Sequence, residues 1–309
     1  MGCSDRARQR VLNVRTVAVM NEKGGSGKTT TTISLAAVLA ERGYRILVVD
    51  LDPQASASLW LGRGREPGLY RAIAEKRDVE PFVRATAVAG LDIIAGSREL
   101  AAVDDLRGRI GIQTALKRAL ARLQVRWDIV LIDCPPNLGL LSVNALAAAD
   151  QVLVPVETHG IAAIGLSDLQ RTVEDARESQ VNPALTIGAI VATRYNRTKE
   201  AKDCVEQMRH AFPDTMLQTV VRESARLGEA FTYARTIVEH DPDGMGAVDY
   251  RAVAGELVER WGLLSPSREG ELKEHADAAR QNGRCTSQPL WHGNAAFWKP
   301  GWRAGRAAR

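Results

Sequence analysis

The sequence predicts an α/β fold: a doubly wound, mostly parallel sheet with helices on both faces. Two observations carry this. Apolar runs of strand length recur along the chain, and stretches of helical period separate them. Most runs are continuously apolar and β-branched rather than alternating, as in parallel strands covered on both sides. Chains that alternate in this way build right-handed βαβ crossovers. The predicted strands are Thr16–Met20, Arg45–Asp50, Leu91–Ala95, Asp128–Asp133, Gln151–Val156, Thr186–Thr193 and Met216–Val221. The predicted helices are Thr30–Arg42, Ala101–Leu123, Gly165–Ser179, Lys199–Ala211 and Ala247–Trp261.

With 309 residues, 45% apolar and 25% charged, the chain is an ordinary globular sequence, long enough for a buried core. No apolar run approaches the roughly 20 residues of a membrane span, so stable membrane insertion is not expected. The start, MGCSDRARQR, has no apolar segment of a secretory signal, and Arg6 stands where myristoylation needs Ser or Thr. Cys3, Cys134, Cys204 and Cys285 are far apart and form no CxxC, which fits a reduced cytoplasm.

The texture changes after Leu264. Residues 1–264 read as one domain and 265–309 as an appended tail, expected to be disordered. The tail holds 8 Lys/Arg against 4 Asp/Glu, which leaves 33 of each in the body. The net charge of +4 therefore belongs to the tail. Its last stretch interleaves Trp291, Phe297, Trp298 and Trp302 with Lys299, Arg303, Arg306 and Arg309. That mixture suits nucleic acid or an anionic surface, or an extension with no role. Gly293, Pro300, Gly301 and Gly305 break any long amphipathic helix there.

The strongest local signal is Lys23-Gly24-Gly25-Ser26-Gly27-Lys28-Thr29-Thr30, placed after the first strand and opening the first helix. That is the setting of a phosphate-binding P-loop. Glycines let backbone N–H groups converge on phosphate oxygens, and the helix N-terminus adds partial positive charge. Lys28 is placed to reach the β/γ-phosphates, and the Thr29 hydroxyl to ligate Mg²⁺. Position 22 is Glu rather than the Gly of GxxxxGK[ST], so the match is to the variant KGGxGK[ST]. Lys23, inside the loop, can lie along the phosphates of its own site or of a facing subunit.

Acidic residues follow at two strand ends, where α/β sheets place ligands. Asp50-Leu51-Asp52-Pro53-Gln54 ends the second strand, and Asp133-Cys134-Pro135-Pro136 ends a hydrophobic one. Asp133 is positioned to hold Mg²⁺ through water, and Asp52 to orient the attacking water. Carboxylates at strand ends also cap loops, which is the plainer reading of both. Cys134 reads as a small buried thiol.

Together these segments resemble the deviant Walker-A ATPases, most closely the ParA partition ATPases. The segments are NEKGGSGKTTTTISLAAVLAERGYRILVVDLDPQASAS, WDIVLIDCPPNLGLLSVNALAAADQVLVPVE and, more loosely, RLGEAFTYARTIVEHDP, within roughly residues 14–262. The resemblance implies ATP and Mg²⁺ as cofactors, and an ATP-bound sandwich homodimer in which Lys23 contacts the partner's nucleotide. It implies slow ATP hydrolysis using Asp52, DNA binding without sequence preference, and stimulation by a ParB-like centromere-binding protein. It also implies a cytoplasmic, nucleoid-associated protein that segregates a plasmid or chromosome. By that resemblance the chain, which begins close to its first strand, is expected to be like the short members, without the N-terminal helix-turn-helix domain of the long ones.

There are departures. Where the family commonly carries Pro-Arg before the RL-x-EA segment, this chain has Arg222-Glu223, and Phe231 stands where Pro is usual. Arg222, Arg226 and Arg235 are the candidate DNA-binding residues of the body. Two other readings stay open: a MinD-like or other cargo-positioning ATPase, and a P-loop kinase or ligase acting on a small molecule. Lys23 and the DLDPQ segment argue against the last, because a monomeric kinase does not need a lysine aimed across a dimer.

Overall fold

The structure is a computed structural model that describes residues 14–123, 126–159 and 162–263. One sheet of eight strands runs in the order β3-β4-β2-β5-β1-β6-β7-β8. The strands are β1 Arg15–Val19, β2 Ile46–Asp50, β3 Val83–Ala85, β4 Leu91–Ile94, β5 Ile129–Asp133, β6 Gln151–Glu157, β7 Thr186–Tyr195 and β8 Met216–Arg222. All neighbours pair in parallel except β3 and β4. The seven predicted strands are all present. The added strand, β3, is three residues long, too short to show a period.

The helices are α1 Lys28–Glu41, α2 Ser56–Trp60, α3 Gly68–Ala74, α4 Ala115–Leu120, α5 Leu140–Ala148, α6 Ala162–Glu178, α7 Lys199–Ala211, α8 Ala225–Thr232, α9 Ile237–His240 and α10 Met245–Trp261. Side chains alternate across the sheet, as the strand period of two requires. Val17, Val19, Ile46, Val48, Ile129 and Leu131 pack with α1 and α10 on one face. Ala18, Leu47, Val49, Val130, Ile132 and Val154 pack with α3, α4, α5, α6 and α7 on the other. Each buried Val, Leu or Ile contributes about 1.5–3 kcal/mol. The edge strand β8 is guarded: Gln218 and Thr219 donate their N–H groups to the Glu256 carboxylate on α10 at 2.8 and 2.7 Å.

The expected helix Ala101–Leu123 is not one element. It divides into a 3₁₀ segment Arg98–Leu106, a turn, a second 3₁₀ segment Ile112–Thr114, and α4. Gly108 and Gly111 in the turn have φ of 95° and 74°, left-handed values that end a right-handed helix. Conversely α5 was hidden in the sequence. It buries Leu140, Leu141, Ser142, Asn144, Ala145, Leu146 and Ala147, so it shows no amphipathic period.

The register positions the site. Asp133 at the end of β5 pairs with Asp50 of β2 on one side and Val19 of β1 on the other. The chain leaves β1 toward β2, and leaves β5 toward β6 on the far side of β1. Loops diverging in opposite directions open a crevice at the carboxyl ends of the strands. Among the described residues, no helix is long and apolar enough to cross a membrane. The tail 265–309, with its aromatic and basic residues, lies outside the described residues, as do Cys3 and Cys285.

Candidate phosphate and magnesium site

The loop between β1 and α1 is held from several sides. Asn21 donates its amide to the Pro155 carbonyl at 2.7 Å and accepts the Lys23 N–H at 3.0 Å. Thr193 on β7 donates to the Ser26 carbonyl at 3.0 Å. Gly25 and Gly27 have φ of 80° and 87°, a region that penalises a Cβ. At Gly24 and Gly25 a Cβ would meet nothing within 4 Å, so the concave side of the loop is open. Gly27 caps α1 without a side-chain bond, and no acid lies in the helix's first turn. The helix's own side chains thus leave its positive end uncompensated inside the loop.

Lys28 is 8% exposed and donates to the Lys23 carbonyl at 3.2 Å. Burial pulls its pKa down, and Asp133 is the largest opposing influence. Thr29 donates to Asp133 Oδ2 at 2.8 Å, and Thr32 to Oδ1 at 3.2 Å. Ser26 is fully buried and its Oγ has no protein partner. An orphaned hydroxyl, open N–H groups, a buried ammonium and a hydroxyl–carboxylate pair fit a polyphosphate with its divalent cation. Lys23, Gly24, Gly25, Ser26, Gly27, Lys28, Thr29 and Thr30 would surround the phosphates. Thr29 would ligate Mg²⁺ directly and Asp133 through water.

Of the other expected residues, Asp52 is half-buried at the rim, its Oδ1 accepting the Gln54 N–H at 2.8 Å. The Lys23 ammonium lies 2.9 Å from Glu157, and its side chain is 53% exposed. Glu157 also holds Arg194 at 3.0 Å. Glu223, the acidic departure, pairs with Arg194 at 3.3 Å. Cys134 is buried, and that burial pushes its thiol pKa well up.

The three candidate arginines are not alike. Arg222 clamps the nearly buried Asp249 of α10, with Nη2–Oδ1 at 2.7 Å and Nε–Oδ2 at 3.0 Å. Arg226 is exposed and pairs with Glu229 three residues on at 2.6 Å. Arg235 is exposed, and its carbonyl accepts the Trp60 indole N–H at 2.7 Å.

Sequence reasoning missed Thr32, Thr193 and Glu157. Thr32 had a signal, since it sits one helical turn after Thr29 in an unbroken threonine run. The other two had none, because only the strand order brings β6 and β7 beside the loop.

Asp133 is fully buried, and burial raises its pKa above the ordinary carboxylate range; Asp50 raises it further, against the Thr29 and Thr32 hydroxyls. Asp50 is raised by burial too, but it accepts Ser58 N–H at 2.7 Å, Ser58 O–H at 2.6 Å and Asp52 N–H at 3.3 Å. Asp50 has more donors to hold its charge, so the proton of the pair resides on Asp133. A raised folded-state pKa contributes stability at low pH that is lost as pH rises through it. The Tm of the nucleotide-free protein should therefore fall as pH climbs above the ordinary carboxylate range. Asp133→Asn should flatten that fall in thermal melts. An identical pH dependence in the variant assigns it to another group.

A family model described as an AAA domain matches residues 14–187. The sporulation initiation inhibitor protein Soj of Bacillus subtilis is 37% identical over 247 residues, 78% of this chain and 97% of that one. The chromosome-partitioning ATPase Soj of Thermus thermophilus is 40% identical over 252 residues, 80% of this chain and 96% of that one. Among solved structures, a protein named cobyrinic acid a,c-diamide synthase from Mycobacterium smegmatis, with bound ATP analogue and magnesium, is similar. It is 31% identical with a TM-score of 0.70, covering 81% of this chain and 96% of that one. The match over residues 14–187 and identities of 37% and 40% along nearly the whole of two Soj proteins place this chain in the ParA/Soj family of P-loop ATPases.

Proposed function

We propose that this chain is an ATP- and Mg²⁺-dependent partition ATPase that dimerises around ATP, binds DNA without sequence preference and hydrolyses ATP slowly. The observation that carries the reading is the convergence of Lys28, Thr29 and Asp133 beneath an open glycine loop, with Asp52 at the rim and Lys23 at the mouth. A synthase is named among the similar structures, so the phosphate cradle does not by itself choose between partition and small-molecule chemistry. Lys23 favours partition. Its side chain is half-exposed, its ammonium held by Glu157 at 2.9 Å and the His159 carbonyl at 3.5 Å, and from there it would reach a facing subunit.

Mg²⁺ held by Thr29 and Asp133 would supply positive charge against the transferring phosphoryl group. The loop N–H groups and Lys28 bind and orient the phosphates. Thr29 and Asp133 hold the ion's position, and Thr32 fixes the second oxygen of Asp133. Asp52 orients the attacking water. A ParB-like protein on a centromere-like site would accelerate turnover and release the DNA, with the protein acting on the nucleoid in the cytoplasm.

Arg226 and Arg235 offer the exposed cations on the α8–α9 side, while Arg222 braces that segment through Asp249. Dimerisation doubles this charge, and each neutralised phosphate adds about 0.9 to the salt slope. Anisotropy of a fluorescent random-sequence duplex should therefore rise with ATP and Mg²⁺. Truncation after Leu264 should preserve that rise, and Arg226→Ala with Arg235→Ala should remove it. No ATP-dependent rise in the wild-type chain rejects the proposal. Loss on truncation alone moves the contact to the tail.

A further inference from the structure

We propose, on the reading that Lys23 completes a facing subunit's site, that Glu157 is the positioning residue for that lysine. It holds the ammonium back at the mouth of the nucleotide-free site, and Arg194 takes over the carboxylate when Lys23 crosses. The strength of this pair then sets how readily ATP brings two subunits together.

Glu157 closes β6 and is mostly buried. Its carboxylate meets two cations. Lys23 Nζ lies 2.9 Å from Oε2, and Arg194 Nη1 lies 3.0 Å from Oε1. A mostly buried carboxylate is destabilising without a cation, but one cation answers its charge. The second is in surplus and can leave.

Arg194 is the fixed partner. Its φ of 53° is a left-handed value, uncommon outside glycine and asparagine. The Thr158 hydroxyl donates to its carbonyl at 3.2 Å. Its Nη2 also reaches Glu223 at 3.3 Å, and the Glu223 N–H donates to the Tyr195 carbonyl at 3.1 Å. Lys23 is the movable one. It carries a flexible four-carbon stem, half-exposed beside Gly24 and Gly25. Beyond Glu157 its ammonium reaches the His159 carbonyl at 3.5 Å, too long for a strong hydrogen bond.

Lys23, Glu157, Arg194 and Glu223 thus alternate in sign, and the two inner members act on Lys23 in opposite directions. Without the Glu157 charge, Lys23 loses its resting place. Without Arg194, the departure of Lys23 would leave a mostly buried carboxylate unpaired, so the lysine is held harder. Each dimer releases two lysines, so the effect on its dissociation constant is the square of the effect per subunit.

Two measurements on the full chain test this. Sedimentation with Mg²⁺ and a non-hydrolysable ATP analogue gives the dimer dissociation constant. Acetylation of Lys23 by acetic anhydride in the nucleotide-free chain, read by mass spectrometry, gives the freedom of the ammonium. Glu157→Gln should speed acetylation. It should also lower the dissociation constant by about four- to twenty-five-fold, the square of the roughly two- to fivefold expected of one half-exposed ion pair. Arg194→Asn, whose side chain suits the left-handed backbone, should slow acetylation and raise the constant. In the Glu157→Gln background the same asparagine should add nothing, because Arg194 acts through Glu157. Simple addition of the two effects points to a general change of local charge and overturns the proposal. So does a wild-type dissociation constant or acetylation rate in Glu157→Gln. Should that variant fail to fold, Arg194→Asn alone, matched to wild type in thermal melts, decides: an unchanged or lowered constant overturns the proposal. A wild type that stays monomeric with the analogue rejects the facing-subunit reading of Lys23, and this proposal with it, whatever the acetylation rates.

Discussion

Asp52→Ala should leave ATP bound and the dimer formed while turnover falls by about 10²–10³-fold, the loss typical of removing one preorganised charged or hydrogen-bonding group from a transition state. The geometry separates this residue from its neighbours. Asp50, two positions earlier, is fully buried and spends its oxygens on Ser58 and on the Asp52 N–H. Asp133 is buried against Thr29 and Thr32. Only Asp52 of the three is partly open to solvent, where a water can reach it. Its Oδ1 accepts the Gln54 N–H, so alanine also removes a loop contact. Asp52→Asn keeps that acceptor and loses the charge. It should be nearly as slow as alanine if the carboxylate orients water, and nearly wild type if the loop contact is what matters. Phosphate release measured beside ATP calorimetry distinguishes these. Wild-type turnover in Asp52→Ala sends the catalytic role elsewhere.

Lys23→Ala should bind ATP within a few-fold of wild type yet remain monomeric in light scattering with ATP and Mg²⁺. The loop should keep its shape, because Lys23 contributes its backbone to it: its N–H to Asn21 and its carbonyl to Lys28. The side chain alone is removed. In the nucleotide-free chain that side chain rests on Glu157 at 2.9 Å while half-exposed. Glu157 is mostly buried but keeps its second partner, Arg194, at 3.0 Å, so it is not left unpaired when Lys23 swings away to a partner's phosphate. ATP-dependent dimerisation of normal strength in Lys23→Ala removes the reason for preferring a sandwich dimer over a monomeric phosphotransferase.

What the sequence determined by itself was whatever is local along the chain. The strands were legible because residues buried on both faces of a parallel sheet form unbroken apolar runs. The phosphate loop was legible because glycines, Lys28 and Thr29 are contiguous and follow a strand into a helix. Asp52 and Asp133 were legible as carboxylates at strand ends. Local reasoning failed where neighbours compete: Gly108 and Gly111 divided an apparent helix, and burial on all sides concealed α5.

The tertiary structure alone decided which distant residues meet. Strand register sets Asp133 against Thr29 and Thr32, more than 100 positions away. Strand order brings Glu157 to Lys23 and Thr193 to the loop. Packing of α10 set Arg222 against Asp249, because a nearly buried carboxylate draws the nearest guanidinium.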